Sequence, residues 1–231
     1  MKKILFILLI FVGFNSFAQV GNAFTAVELS VKSGQALAVK ELVNNFMKDA
    51  KFKEGSGYAL QRLWQGSDHR SHRLVWWGPL GNRGRIDGDL KDYENSAFWA
   101  SLRSHLDGPG KAYSGRVLDW KEGNAEQDNW ILYDVIVKDP SSYAKAHQTI
   151  IKKLSNSEFK NRTVALGTYD IGRPDGATHW IGLTGTDSDD LLLMHKNFQE
   201  KHVKEVTEYF QNRGEVIEIK DVRITDVLNF N

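Results

Sequence analysis

Residues 73–78 read RLVWWG and residues 177–182 read ATHWIG, so a tryptophan, an apolar residue and a glycine recur about a hundred positions apart. Two further matches lie in line with this one. VELSVKSGQALAVKELVNNF at 27–46 aligns with YDVIVKDPSSYAKAHQTIIK at 133–152, its shared Val-Lys separated by 106 positions. RVLDW at 116–120 aligns with RITDV at 223–227 at a separation of 107, against 104 for the tryptophan stretch. Each match is short, but their order and near-constant spacing point to a tandem duplication. A chain of this kind has to fold twice in the same way.

Local patterning gives each copy the same grammar. An alternating strand opens each half, over 24–32 and 129–138. A helix follows over about 34–49 and 140–155, with Leu37, Val39, Leu42, Val43 and Phe46 spaced three or four apart in the first. Ser33 and the Asp139-Pro140 pair supply the start signals. Hairpins follow, 57–66 with 72–78 and 163–171 with 177–183, the second turning at RPDG, 173–176. A second helix (about 94–106 and 189–212) and a last strand (113–120 and 215–228) close each half. This is the β-α-β-β-α-β ferredoxin-like unit, so the fold class is α+β. The predicted organisation is a signal peptide at 1–18, a first repeat at 19–124 and a second at 125–231, the repeats forming one compact barrel.

A four-stranded sheet with both helices on one face leaves its other face bare, and two such sheets can cover each other. On these elements and their duplication, the chain resembles the dimeric α/β-barrel superfamily, including its antibiotic-biosynthesis-monooxygenase-like and stress-responsive members. The resemblance covers nearly all of 23–230 and implies one barrel with helices outside. It also implies, as an alternative, cofactor-independent monooxygenase or isomerase chemistry. Haem-binding members hold their cofactor on a helical histidine; His195 and His202, seven apart on the last long helix, are the positions here that resemble it. A solvated helix accounts for the same two residues, and the expectation is a chain without a cofactor, haem being the alternative.

Strand parity sorts the side chains between the two faces. Val27, Leu29, Val31 and Tyr133, Val135, Val137 should lie under the helices. Phe24, Ala26, Glu28 and Trp130, Leu132, Asp134 should face the barrel interior, each half sending one carboxylate inward. If Arg173 faces Gly176, Tyr169 lies opposite Trp180 and Asp170 opposite His179. In the first half the tryptophan match makes Trp64 and Trp76 the interior equivalents, with Arg62 on their face. Arg116 should reach Glu28, and Arg223 should reach Asp134.

The favoured expectation is a small-molecule-binding protein whose barrel interior, lined by Trp64, Trp76, Tyr169 and Trp180 with Arg62 and Arg116, takes an aromatic or apolar ligand. A barrel filled by its own side chains, acting as a structural or stress-related module, is a further alternative. For an enzyme, Glu28, Asp134, His179 and Asp170 are the candidate acids and bases, although two ion pairs inherited with the duplication are the favoured account of the carboxylates. No serine nucleophile accompanies His179 and Asp170, so a catalytic triad is not supported. His69 and His72 in DHRSHR are weak metal candidates; a site needs three or four donors, and no metal is expected. The loop GNRGRIDGDLKDYENS (81–96) suits a binding lid or a plain surface connection.

The first residues, MKKILFILLIFVGFNSFAQ, carry the charged start, apolar core and small residues of a secretory signal, with cleavage expected after Ala18. The apolar run is shorter than the ~20 residues a bilayer span needs. With no cysteine, neither a lipoprotein anchor nor a disulfide is available, and the expectation is a periplasmic or secreted protein that does not engage the membrane after cleavage. Its 30 basic and 29 acidic residues, well mixed, give no electrostatic footprint for nucleic acid. The expected assembly is a monomer or weak homodimer.

Overall fold

The computed structural model describes residues 21–124 and 126–231; the predicted signal segment lies outside the described residues. The first half runs β1 (Asn22–Leu29), α1 (Ala36–Met47), β2 (Gly57–Leu63), β3 (His72–Pro79), α2 (Asp92–Ser104) and β4 (Lys111–Lys121). The second runs β5 (Asn129–Val137), α3 (Pro140–Leu154), β6 (Val164–Ile171), β7 (His179–Gly185), α4 (Ser188–Glu200), α5 (Val203–Asn212) and β8 (Val216–Phe230). The eight strands close in the order β1-β3-β2-β8-β5-β7-β6-β4. Each half contributes the ferredoxin-like order 4-1-3-2. The halves join through the antiparallel edge pairs β2–β8 and β4–β6, so closure removes every free strand edge.

α3 shows how sequence becomes packing. Asp139 caps it, accepting from the backbone N–H of Ser141 and Ser142 at 3.1 Å each, and Pro140 occupies the first turn. Tyr143, Ala146, His147, Ile150 and Leu154 then fall on one buried face against the sheet. Two helix expectations need correction. α1 begins beyond Ser33, with Gln35 at its cap and no side-chain cap bond. The single helix expected over 189–212 is two, broken at Lys201-His202, so His195 and His202 do not share a helix face.

The barrel interior is packed by rings seated over glycines. A Cβ at Gly57 would strike the Trp77 indole, at Gly115 the Phe24 ring, at Gly167 the Trp180 indole, and at Gly182 would press Trp130 at 3.0 Å. Phe24 meets Trp180, Tyr169 and Tyr113 edge-on at 5.7, 6.1 and 6.5 Å. Gly78, by contrast, has φ +156° and abuts Ser56 and Arg83; the glycines after the two tryptophan stretches serve different purposes.

That difference extends to the stretches themselves. Glu28 pairs across the sheet with Arg73, and Asp134 with Trp180, so Arg73 is the structural counterpart of Trp180. Aligning Trp76 with Trp180 is a three-residue slip, and an odd slip exchanges the faces of a strand. Trp77, Val75 and Arg73 therefore point inward. Trp76 lies under the helices, stacked on Tyr58 at 6.1 Å.

Candidate functional site

Two cavities of different character flank the second half-sheet. Inside the barrel, a space of about 110 Å³ lies among Phe24, Trp77, Trp120, Trp130 and Trp180. On the opposite face, between the sheet and α3, α4 and α5, lies a slot of about 400 Å³. Only the second falls in the 300–1,000 Å³ range of small-molecule sites, which moves the candidate ligand site outside the barrel.

The slot's floor is the outer face of β5, β7 and β8, with Tyr133, Val135, Ile181, Leu183 and Val216; its walls are Tyr143, His147, Ile150, Phe198, Val206, Tyr209 and Phe210 from the helices. α5 forms a loosely seated roof, since none of its residues is fully buried and Phe210 is 53% exposed. In the first half, which has a single helix between its last two strands, Tyr58, Trp76, Phe46 and Phe98 pack the corresponding layer, the last two rings stacked at 4.0 Å.

Two imidazoles line the slot. His147 is 2% exposed and its Nε2 has no hydrogen-bond partner; burial pushes its pKa down to about 4, so the ring is neutral. His195 Nε2 and the Tyr133 hydroxyl lie 2.8 Å apart, and burial lowers this histidine too. Arg213 lines the slot and stacks on Phe210 at 4.3 Å. Sequence reasoning named His195 but passed over His147, whose signal was a titratable residue inside an otherwise apolar helix stripe.

The charged end of the barrel interior holds a second polar cluster. Asp134, 2% exposed, accepts from the Tyr169 hydroxyl at 2.5 Å and has Lys220 at 3.9 Å. Burial raises its pKa to about 6, against the opposing pull of the Tyr169 hydrogen bond. Glu28 accepts from the Tyr113 hydroxyl at 3.0 Å. Arg73, which donates to Gln61 and Tyr113, sits between the carboxylates and was missed because of the inverted hairpin face. Lys111 and Lys220 both clasp Asp175 of the β6–β7 turn, at 2.7 and 3.0 Å.

Several predicted site residues are placed otherwise than expected. Trp64 is 54% exposed and lies between Arg62 and Arg223, outside the barrel. Arg62 contacts His72 rather than facing inward. Arg116 is bound to Asp170 at 2.7 and 3.1 Å, not to Glu28, and Arg223 donates to Asn129, not to Asp134. Tyr169 and Trp180 do face the interior, but the register pairs Gly167 with Trp180 and Thr168 with His179, because the turn is longer than the RPDG tetrad alone. His179 is consequently bonded to Thr178 rather than Asp170 and rests against Tyr143 under α3. His72 is buried beneath the first-half helices while His69 lies in the loop before β3, and no group of three or more metal-ligating side chains occurs among the described residues. His202 stands at the N-terminal cap position of α5 without a side-chain cap bond, its ring 3.9 Å from Glu158. The connection before α2 is pinned by Arg85 and Asp89, 2.6 Å apart, and by the Lys51 N–H.

A protein assigned as a monooxygenase from Lactobacillus acidophilus NCFM superposes with a TM-score of 0.59 at 13% identity, over 90% of this chain and 95% of that one. One of the same assignment from Fusobacterium nucleatum gives 0.57 at 14%, over 92% and 95%. The chain has the dimeric α/β-barrel fold, with both ferredoxin-like units in a single polypeptide. A chlorite dismutase variant from Candidatus Nitrospira defluvii, in complex with cyanide, superposes with a TM-score of 0.50 at 12% identity, over 90% and 92%. No family model and no curated protein matches the sequence. Cyanide is a ligand of transition-metal centres, so the presence of this enzyme among the similar barrels overturns the expectation of a cofactor-free chain and brings haem back as an alternative. Among the described residues no helix is long and apolar enough to cross a membrane.

Proposed function

We propose that this chain is an exported oxidative enzyme, related in architecture to monooxygenases and chlorite dismutases, that takes a flat aromatic or apolar molecule into the slot of its second half. The observation that carries the reading is the about 400 Å³ apolar slot containing a buried imidazole whose Nε2 is unpartnered. A buried polar nitrogen without a partner costs about 1–3 kcal/mol, a cost that a ligand at that nitrogen would remove. The α5 roof, which buries nothing fully by itself, is suited to settling onto such a molecule.

The slot's donor chemistry also fits haem. His147 would provide a neutral nitrogen donor to the iron, and Arg213 a cation to hold a carboxylate of the group. Bound there, haem would supply an iron centre for oxygen or oxyanion chemistry. The side chains themselves exclude water through the apolar walls and hold a hydrogen bond between the Tyr133 hydroxyl and His195 Nε2. Because His147 stays neutral down to about pH 4, it remains a nitrogen donor across the physiological range.

The test uses protein recovered from the exported fraction, whose intact mass should place the mature N-terminus at Gln19. Titration with hemin should give a Soret band shifted from that of free hemin together with quenching of tryptophan fluorescence. His147→Ala should weaken binding at least tenfold and change the band, whereas His195→Ala should retain the band position. Absence of hemin binding, together with absence of binding by a tricyclic aromatic such as anthrone, would overturn the slot as a ligand site.

A further inference from the structure

The space inside the barrel is divided from the slot by the sheet itself, and its chemistry differs. Its about 110 Å³ is of the order of the ~150 Å³ cavity that admits benzene, room for one ring and too little for a fused-ring compound. Phe24, Trp77 and Trp180 wall it. Trp120 and Trp130, both half-buried, line it beside the β4–β5 connection, at the end of the barrel away from Asp134.

Arg73 lines the same space. It points inward from β3 within a closed barrel, yet the residue keeps accessible surface, and that surface belongs to the interior space. Its Nε and Nη2 donate to Gln61 Oε1 at 2.9 and 2.6 Å, and Nη1 donates to the Tyr113 hydroxyl at 3.4 Å. All of these acceptors are neutral, and two of the five N–H groups of the guanidinium fork remain without an acceptor. Among the described residues Arg73 forms no ion pair with a carboxylate. The acids nearest to it are served by other donors: Glu28 by the Tyr113 hydroxyl, Asp134 by the Tyr169 hydroxyl and Lys220, and Asp226 by Gln61 Nε2 at 2.7 Å. Burial also favours the neutral forms of Asp134 and Asp226, which lessens their repulsion of an arriving anion. An arginine held inside a protein without an anionic partner is rare, because desolvating a charge is costly until a counter-charge offsets it.

We propose that the barrel interior is a second small-molecule site, for a single-ring aromatic carboxylate whose ring lies among Phe24, Trp77 and Trp180 and whose carboxylate takes the unspent N–H groups of Arg73. The volume selects one ring, the surrounding rings select aromatic character, and the unpaired guanidinium selects an anion. The planar fork matches a carboxylate in geometry as well as in charge. The site is independent of the slot and stands or falls separately from the proposed oxidative function.

Benzoate is the probe, with benzamide as its uncharged counterpart of nearly the same shape. In calorimetric titrations of the full chain, benzoate should bind at least tenfold more tightly than benzamide, the difference expected when a hydrogen bond becomes charge-assisted. Arg73→Gln should remove that preference. Arg213→Ala, which takes the cation from the slot, should leave benzoate affinity unchanged. A crystal grown with benzoate should show its carboxylate on Arg73. The proposal is overturned if benzoate does not bind, if benzamide binds as tightly, if Arg73→Gln keeps the preference, or if Arg213→Ala abolishes it. Should Arg73→Gln fail to fold, the benzoate–benzamide contrast in the unaltered chain and in Arg213→Ala decides.

Discussion

Asp134 and His147 lie on opposite faces of the same half-sheet, and burial displaces both toward their neutral forms. For Asp134 the folded pKa of about 6 exceeds the unfolded value near 3.9. The folded state therefore holds this proton more tightly, and its contribution to stability declines as pH rises from about 4 to about 6. For His147 the folded value of about 4 lies below the unfolded 6.5, so its contribution grows with pH across nearly the same window. His72, pushed to about 4 by burial and then by Arg62, acts in the histidine sense. Stability should thus rise from pH 4 to 6, more steeply in Asp134→Asn and more shallowly in His147→Gln. Each change should be on the order of 2–3 kcal/mol over the window. Urea denaturation at several pH values measures this, and slopes identical to wild type would contradict the burial argument.

At the level of elements, the ring-on-glycine seats determine how tightly the barrel closes. Gly167 lies on β6, opposite Trp180 on β7, and any side chain there meets the indole and the Arg116 backbone oxygen. Gly167→Val should displace Trp180 and cost roughly 2–3 kcal/mol, in the range of core overpacking. Loss of near-ultraviolet circular dichroism at unchanged far-ultraviolet signal would mark ring displacement within an intact barrel. An unaltered near-ultraviolet spectrum and unchanged denaturation midpoint would disprove the seat. The loosely packed α5 shows the contrary arrangement, leaving space between helix and sheet where the first half has packed rings.

For the whole molecule, the strand order makes each half dependent on the other. Separated, either half would expose an apolar inner face and two free edges, those of β2 and β4 or of β6 and β8. The intact chain should therefore unfold in one cooperative transition. A first half ending at residue 124 should aggregate alone but remain soluble when co-expressed with 126–231, as judged by size-exclusion chromatography. A stable monomeric first half would show that closure is dispensable.

The duplication, the order of elements and the inward parity of β1 and β5 were legible in the sequence, because hydrophobic period and turn chemistry are local. Glu28 and Asp134 were found on the interior face by that parity alone. The face of the first hairpin was not legible: its loose connection fixes no register, and the repeated Trp-x-Gly drew Trp76 into a position that the β1–β3 pairing assigns to Arg73. The partners of the charged groups, the Tyr113 hydroxyl donating to Glu28 and the Tyr169 hydroxyl to Asp134 among them, depended on side chains brought together from distant strands. The break before α5, and the slot it roofs beside His147, were likewise decided by tertiary packing. Local pattern specifies which face of an element is apolar, but a cavity is what remains when several such faces meet, and no single segment encodes it.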